Sequence, residues 1–169
     1  MTLLALQAVA CGYSLAGHGS FLPASIQTIG VPEFTNSTPY YEVEQLFTDK
    51  VRSELIGRGK YKVLPQASGV DALLKGTIVS MAIAPANFNQ QQQATRYTIM
   101  VTTAIEFVDL KSGKTIWANP GMVFRETYDL PAETQAGDPG AFFGQGSNAM
   151  QRVASDFART VISAILEAF

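Results

Sequence analysis

The stretch Arg96-Tyr97-Thr98-Ile99-Met100-Val101-Thr102-Thr103-Ala104-Ile105-Glu106-Phe107 decides the fold. Side chains alternate across an extended chain, so Tyr97, Ile99, Val101, Ile105 and Phe107 share one face. Arg96, Thr98, Thr102 and Glu106 take the other. Such alternation predicts a strand in a sheet that is covered on one side only. Downstream, Asp109-Leu110-Lys111-Ser112-Gly113-Lys114 reads as a tight turn in which Gly113 takes positive φ. The strand beyond it carries Ile116, Trp117, Met122, Phe124 and Tyr128. Pro120 cannot donate to a ladder, which predicts an edge or a bulge at Asn119-Pro120-Gly121. Upstream, a polar hairpin loop that includes Gln90–Gln93 leads back to a longer strand over Ala72–Ile83.

Two amphipathic helices flank this meander. Val43, Phe47, Val51 and Leu55 recur every four residues, with Leu46 and Ile56 widening the stripe. Thr38 is the expected N-cap, with Pro39 at the first helical position, and Gly57 and Gly59 end the helix. From about Ser147, Met150, Val153, Ala154, Phe157, Val161, Ala164, Ile165 and Ala168 make a second apolar face, with Arg152, Asp156 and Arg159 off it. Short strands are expected at Ile26–Val31, bounded by Pro32, and at Tyr61–Leu64. The order β-α-β-β-β-β-α predicts an α+β domain: two helices packed on one face of a mixed sheet of four or five strands. Residues 26–169 form this single domain. Residues 129–146, rich in Gly and Pro and holding Phe142 and Phe143, make a long connection of the kind that is functional or unstructured.

The 169 residues suit one core. Charged residues make up 15% of the chain, against about 25% in ordinary soluble domains, and a charge-poor surface often has a partner over part of it. The net charge of −2 gives no basic field for nucleic acid. With one cysteine and one histidine, Cys11 and His18, there is no disulfide framework, no zinc site and no Ser-His-Asp arrangement. Glu42 and Glu44 lie two apart on a helix and point to different faces. Gly144-Gln145-Gly146 follows no strand and lacks the lysine of a phosphate loop. The chain reads as a binding protein without a cofactor, not as an enzyme.

Met1 to Ala10 is a short apolar run ending in small residues immediately before Cys11. It looks like the tail of a bacterial signal peptide closing in a lipobox. Small side chains at Ala8 and Ala10 let the backbone enter a peptidase, and the Cys11 thiol accepts the lipid. Residues 1–10 are then the remnant of a signal peptide and 11–25 a lipidated tether to the inner leaflet of an outer membrane, held by several acyl chains because one alone binds marginally.

Several patches, in order, resemble the LptE family of lipopolysaccharide-assembly lipoproteins. Cys11-Gly12-Tyr13-Ser14-Leu15 resembles its acylated start. Ile26, Ile29, Val31-Pro32, Phe34, Asn36 and Thr38 resemble its first strand and helix entry, and Leu74-Lys75-Gly76-Thr77-Ile78 the strand after the first helix. Tyr97, Asp109-Leu110, Gly113-Lys114 and Trp117 are similar to its following hairpin. The resemblance implies two helices on a four-stranded sheet. It also implies a plug inside the wide β-barrel protein LptD, which helps that barrel assemble and helps deliver lipopolysaccharide to the outer leaflet. The alternative is another periplasm-facing lipoprotein, a subunit of a secretion or envelope-integrity complex.

Lipopolysaccharide presents phosphates and acyl chains, so a contact site pairs cations with apolar surface. Arg96, Lys111, Lys114 and Arg125, on or beside the two long strands of the hairpin, are the candidates for lipid or barrel contact. Taken one by one, each reads more readily as an ordinary solvated surface charge. Thr98 and Thr102 offer a polar face to a barrel wall, and Phe142 and Phe143 either insert into a partner or pin the loop to its own core.

Overall fold

The computed structural model describes residues 22–92, 94–129 and 147–168. Cys11, His18, Phe142, Phe143 and Gly144-Gln145-Gly146 lie outside the described residues, as do residues 1–10 and most of the expected tether.

The strands are β1 (Thr28–Gly30), β2 (Thr35–Asn36), β3 (Lys62–Leu64), β4 (Ala72–Phe88), β5 (Ala94–Asp109) and β6 (Lys114–Asp129). The helices are α1 (Val43–Gly57) and α2 (Ser147–Leu166). The sheet runs β3-β1-β4-β5-β6, with β2 also paired to β4. β1 and β2 run parallel to their neighbours, whereas β4, β5 and β6 form an antiparallel meander. The architecture is therefore α+β with a mixed sheet, as expected, but of six strands instead of four or five. The added strand is β2, two residues long.

The central stretch behaves as its alternation requires. Tyr97, Ile99, Val101, Ile105 and Phe107 are buried, together with Thr103, and the residues between them are half-buried. β4 extends five residues past the expected Ile83 and changes phase on the way. Leu74 and Ile78 face the core, then Met81 does, because a bulge between Ile78 and Ser80 lets Val79 swing out to 45% exposure. Its pairing with β1 and β2 ends at Ile78, so Pro85 occupies a stretch whose outer edge makes no ladder among the described residues. Pro120 meets both expectations. It lies in the edge strand β6, where Pro120 and Gly121 together oppose Ala104 between the pairs Thr103–Met122 and Ile105–Asn119.

Helix α1 starts five residues later than Thr38, at Val43. Asn36 is the cause. Its Oδ1 accepts from the Thr38 amide (2.9 Å) and hydroxyl (2.8 Å), while its Nδ2 donates to the Tyr40 carbonyl and to Glu44 Oε2. This Asx-type turn holds residues 36–40 out of the helix. The chain then enters α1 through Glu42 in the left-handed region, φ 66°, without a side-chain cap. Gly59 turns the chain after α1 at φ +70°, the glycine ending that was expected.

A single core joins the layers. Phe47 and Val51 of α1, Val153, Phe157 and Val161 of α2, and Ile78, Ile99, Val101 and Phe107 of the sheet are all buried in it. The helices pack chiefly on each other, with the Phe47 and Phe157 rings 4.9 Å apart. α1 also lies against β2 and β3, and α2 against β6. Leu22 and Ile26 join this core, so packing reaches back to the first described residue.

Candidate functional site

Covering one face of the sheet with helices leaves the other face open. From the register, that face carries Thr77, Ser80, Ala82 and Ala84 on β4 and Thr98, Met100, Thr102 and Ala104 on β5. β6 adds Val123 and Thr127. Apart from the exposed Val123, these side chains are small, hydroxylated or flexible. β4, β5 and β6 contain 17, 16 and 16 residues, so the ribbon is about 50 Å long at 3.3 Å per residue.

Charges on this face collect toward its ends. Near the turn at Asp109–Lys114, Lys75 bridges to Glu106 across β4 and β5 at 3.1 Å. At the far end Arg96 donates through Nε to Asp129 Oδ1 at 2.7 Å. That hydrogen bond holds the Asp129 carboxyl below, and the Arg96 guanidinium above, its ordinary range. Arg125 stands between, opposite Met100 in register, and makes no ion pair among the described residues.

The four candidate cations thus fall into two groups, separated by about 30 Å along β5. Arg96 and Arg125 share the far half of the open face, and Arg96 is engaged by Asp129. Lys111 lies in the turn between β5 and β6, and Lys114 opens β6 just after it. Lys111 points back into the domain. Its Nζ contacts Asp71 Oδ1 at 2.6 Å and donates to the Ser25 carbonyl at 2.9 Å. Asp71 Oδ2 meanwhile accepts from the amides of Gln27 and Thr28 and from the Thr28 hydroxyl. Lys111 first, then these donors, hold the Asp71 carboxyl far below the usual carboxylate range. This knot joins β1, the approach to β4 and the turn after β5. Its partners are about forty or more residues apart, so no spacing in the sequence points to it.

Beside the start of each helix, Tyr41, Glu42, Leu46, Asp49, Met150 and Gln151 line a groove of about 340 Å³. Its ionisable groups are acidic, which suits no phosphate. Thr48, buried in α1, accepts from the Phe34 amide at 2.9 Å and donates to the Glu44 carbonyl, a structural role. Tyr128, stacked on Tyr97 at 6.0 Å, has its hydroxyl pushed well above the ordinary tyrosine range by burial, and then by Tyr97 and Tyr40. Among the described residues no group of three His, Cys, Asp or Glu side chains could hold a metal ion. No described helix is long and apolar enough to cross a membrane.

The same fold occurs in proteins of distant sequence. The rare lipoprotein B of Shewanella oneidensis superposes with a TM-score of 0.53 at 15% identity, over 83% of this chain and 95% of that one. An uncharacterized lipoprotein B of Nitrosomonas europaea gives 0.51 at 13% identity, over 89% and 87%. PelC of Paraburkholderia phytofirmans, solved as a dodecamer, gives 0.51 at 13% identity, over 85% and 90%. Sequence comparison with curated proteins gives no match. The family model for LptE, lipopolysaccharide-assembly, matches residues 26–165, which takes in every element from β1 to nearly the end of α2. The chain belongs to the LptE family of lipopolysaccharide-assembly proteins.

Proposed function

We propose that this chain is an outer-membrane lipoprotein, acylated on Cys11, that plugs an LptD-type β-barrel, helps it assemble and assists passage of lipopolysaccharide to the outer leaflet. Its work is binding and assembly, not catalysis. Family membership supports the setting. The single structural observation that carries the plug reading is the open face of the β4-β5-β6 ribbon. It is about 50 Å long, longer than the ~30 Å hydrocarbon core of a bilayer. Apart from Met100 and Val123 it is built of small and hydroxyl side chains, and Arg125 is the one cation among the described residues of its middle. Such a surface lies against another wall without burying unpaired charges, whose desolvation would oppose the contact. Arg125 beside Met100 joins a guanidinium to an apolar side chain, the pairing that a lipid with phosphates and acyl chains requires. It is the first residue to change in a search for lipid contact, with the exposed Lys114 next.

The test is recovery of the tagged full chain from detergent-solubilised outer membranes, with mass spectrometry of its partners and of its mature N-terminus. A large β-barrel protein together with acylated Cys11 is expected. Introducing arginine at Thr98 and Thr102 should lower barrel recovery while leaving the circular dichroism spectrum unchanged. Recovery without a barrel, or an unmodified N-terminus beginning at Met1, would overturn the proposal. A ring of copies or a different envelope complex would then be the reading to pursue.

A further inference from the structure

The apolar stripe read from the sequence of α1 is wider than the core uses. Val43, Phe47, Val51 and Leu55 are buried, but Leu46 is only half-buried and Ile56 stands 59% exposed. With about 100° between successive residues, Gln45, Leu46, Asp49, Arg52, Ser53 and Ile56 fall along one side of the helix, opposite the buried stripe. A lone exposed isoleucine is ordinary on a protein surface. Here it shares that side with a groove that it could fill.

The groove of about 340 Å³ lies at the start of α1, with Leu46 and Met150 among its apolar walls and Glu42 and Asp49 as its charges. From Leu46 to Ile56 is about 15 Å along the helix axis. Asp49 and Arg52 sit between the two, joined by an ion pair at 3.1 Å. Laid antiparallel on a copy of itself, this side of α1 brings each Ile56 over the other helix's groove. The same arrangement sets Arg52 of each copy toward Asp49 of the other, so the two ion pairs close into a ring of alternating charge. A parallel arrangement would set Asp49 against Asp49 and leave both grooves empty.

We propose that the outward side of α1 is an interface with a second copy of this chain, an antiparallel helix pair with Ile56 of each copy seated in the groove of the other. Such an interface is isologous, so every favourable contact is made twice. It lies on the helix layer and leaves the open sheet face uncovered, so it goes beyond the barrel reading and is tested apart from it. One pair of short helices is a small interface beside the roughly 1,200–2,000 Å² typical of stable complexes, so association in the micromolar range is expected.

The experiment is sedimentation velocity of the full chain with Cys11→Ser across the micromolar range, where a monomer–dimer equilibrium is expected. Ile56→Glu should weaken it at least about tenfold, because it removes an apolar side chain from both grooves and sets a carboxylate against Glu42 and Asp49. Ile56 is exposed, so circular dichroism should show the fold unchanged. Val123→Glu alters a side chain of similar exposure, 56%, on the sheet face and should dimerise as the parent does. Nitroxide labels at Ser53→Cys should lie about 10 Å closer together across the dimer than labels at Gln45→Cys, because residue 53 is nearer the twofold axis. A chain that stays monomeric, equal loss in the Val123→Glu variant, or the reverse order of label distances would overturn the proposal. So would an Ile56→Glu variant that associates as the parent does, which would trace self-association to the apolar N-terminal run.

Discussion

Removing one aromatic ring between the helices should loosen the layer that covers the sheet, and removing the second should then cost less. Phe47 and Phe157 are at most 1% exposed, with ring centroids 4.9 Å apart and planes tilted by 54°. Truncating a buried Phe to Ala costs about 3–5 kcal/mol, from lost transfer energy plus the cavity left behind. For a chain of this size each kcal/mol lowers Tm by about 2–4 °C, so either single variant should melt about 10 °C below wild type. The ring–ring contact contributes about 0.5–1.5 kcal/mol beyond burial, and one cavity already opens the site of the other. The double variant should therefore fall short of the sum of the singles by at least about 1 kcal/mol. Urea unfolding followed by circular dichroism measures all four corners of the cycle. Phe→Leu versions repeat it if the double Ala variant exhausts the roughly 5–15 kcal/mol typical of a domain. Additive losses, or a single-variant cost under about 1 kcal/mol, would refute the packing described here.

Two more expectations concern the sheet. A Cβ on Gly76 would come within 2.6–2.7 Å of the Phe34 ring, so Gly76→Ala should destabilise by about 1–3 kcal/mol through overpacking. Phe34→Leu in the same chain should recover part of that loss in urea unfolding, and no recovery would mean that the clash lies elsewhere. Asp71 has a carboxyl pKa lowered by folding, so its contribution to stability is present above the unfolded value of about 4 and fades as pH falls toward the folded one. Asp71→Asn should accordingly melt below wild type at pH 7, with the gap closing on acidification below about pH 4. A gap that stays constant down to pH 2 would show that the Lys111–Asp71 contact carries no charge-dependent stability.

How much of this was legible depended on whether the information was local. The alternation of Tyr97–Phe107 needs only its own residues, and β5 is correspondingly well foreseen. β4 hides its faces because the bulge at Val79 shifts the phase halfway, and nothing in Ile78-Val79-Ser80 marks the extra residue. β2 is too short for any period to register. The start of α1 was misplaced because Thr38-Pro39 satisfies every rule for a helix entry, while Asn36, two residues earlier, binds the same segment more tightly into a turn. Among the candidate cations, sequence identified the two strands but not the partners. Arg96 meets Asp129 only through the β5–β6 register, and Lys111 meets Asp71 only because β4 begins where β5 ends.

The low charge content, visible from composition, has a location in the folded chain. Ion pairs Lys75–Glu106 and Arg96–Asp129 stand toward the two ends of the open face, and Lys111–Asp71 lies beneath the turn at its base. The middle is left to Ala, Thr, Ser, Met and Val, with Arg125 the one cation among its described residues. A sheet face exposed to water throughout has no reason to avoid charge, since charged side chains there are nearly free of cost and aid solubility. Avoiding them matters where a second surface displaces the water. Crosslinks to the barrel should therefore form from Thr102 and Ser80 in the middle of the face, and their absence would mean that this face is not the surface in use.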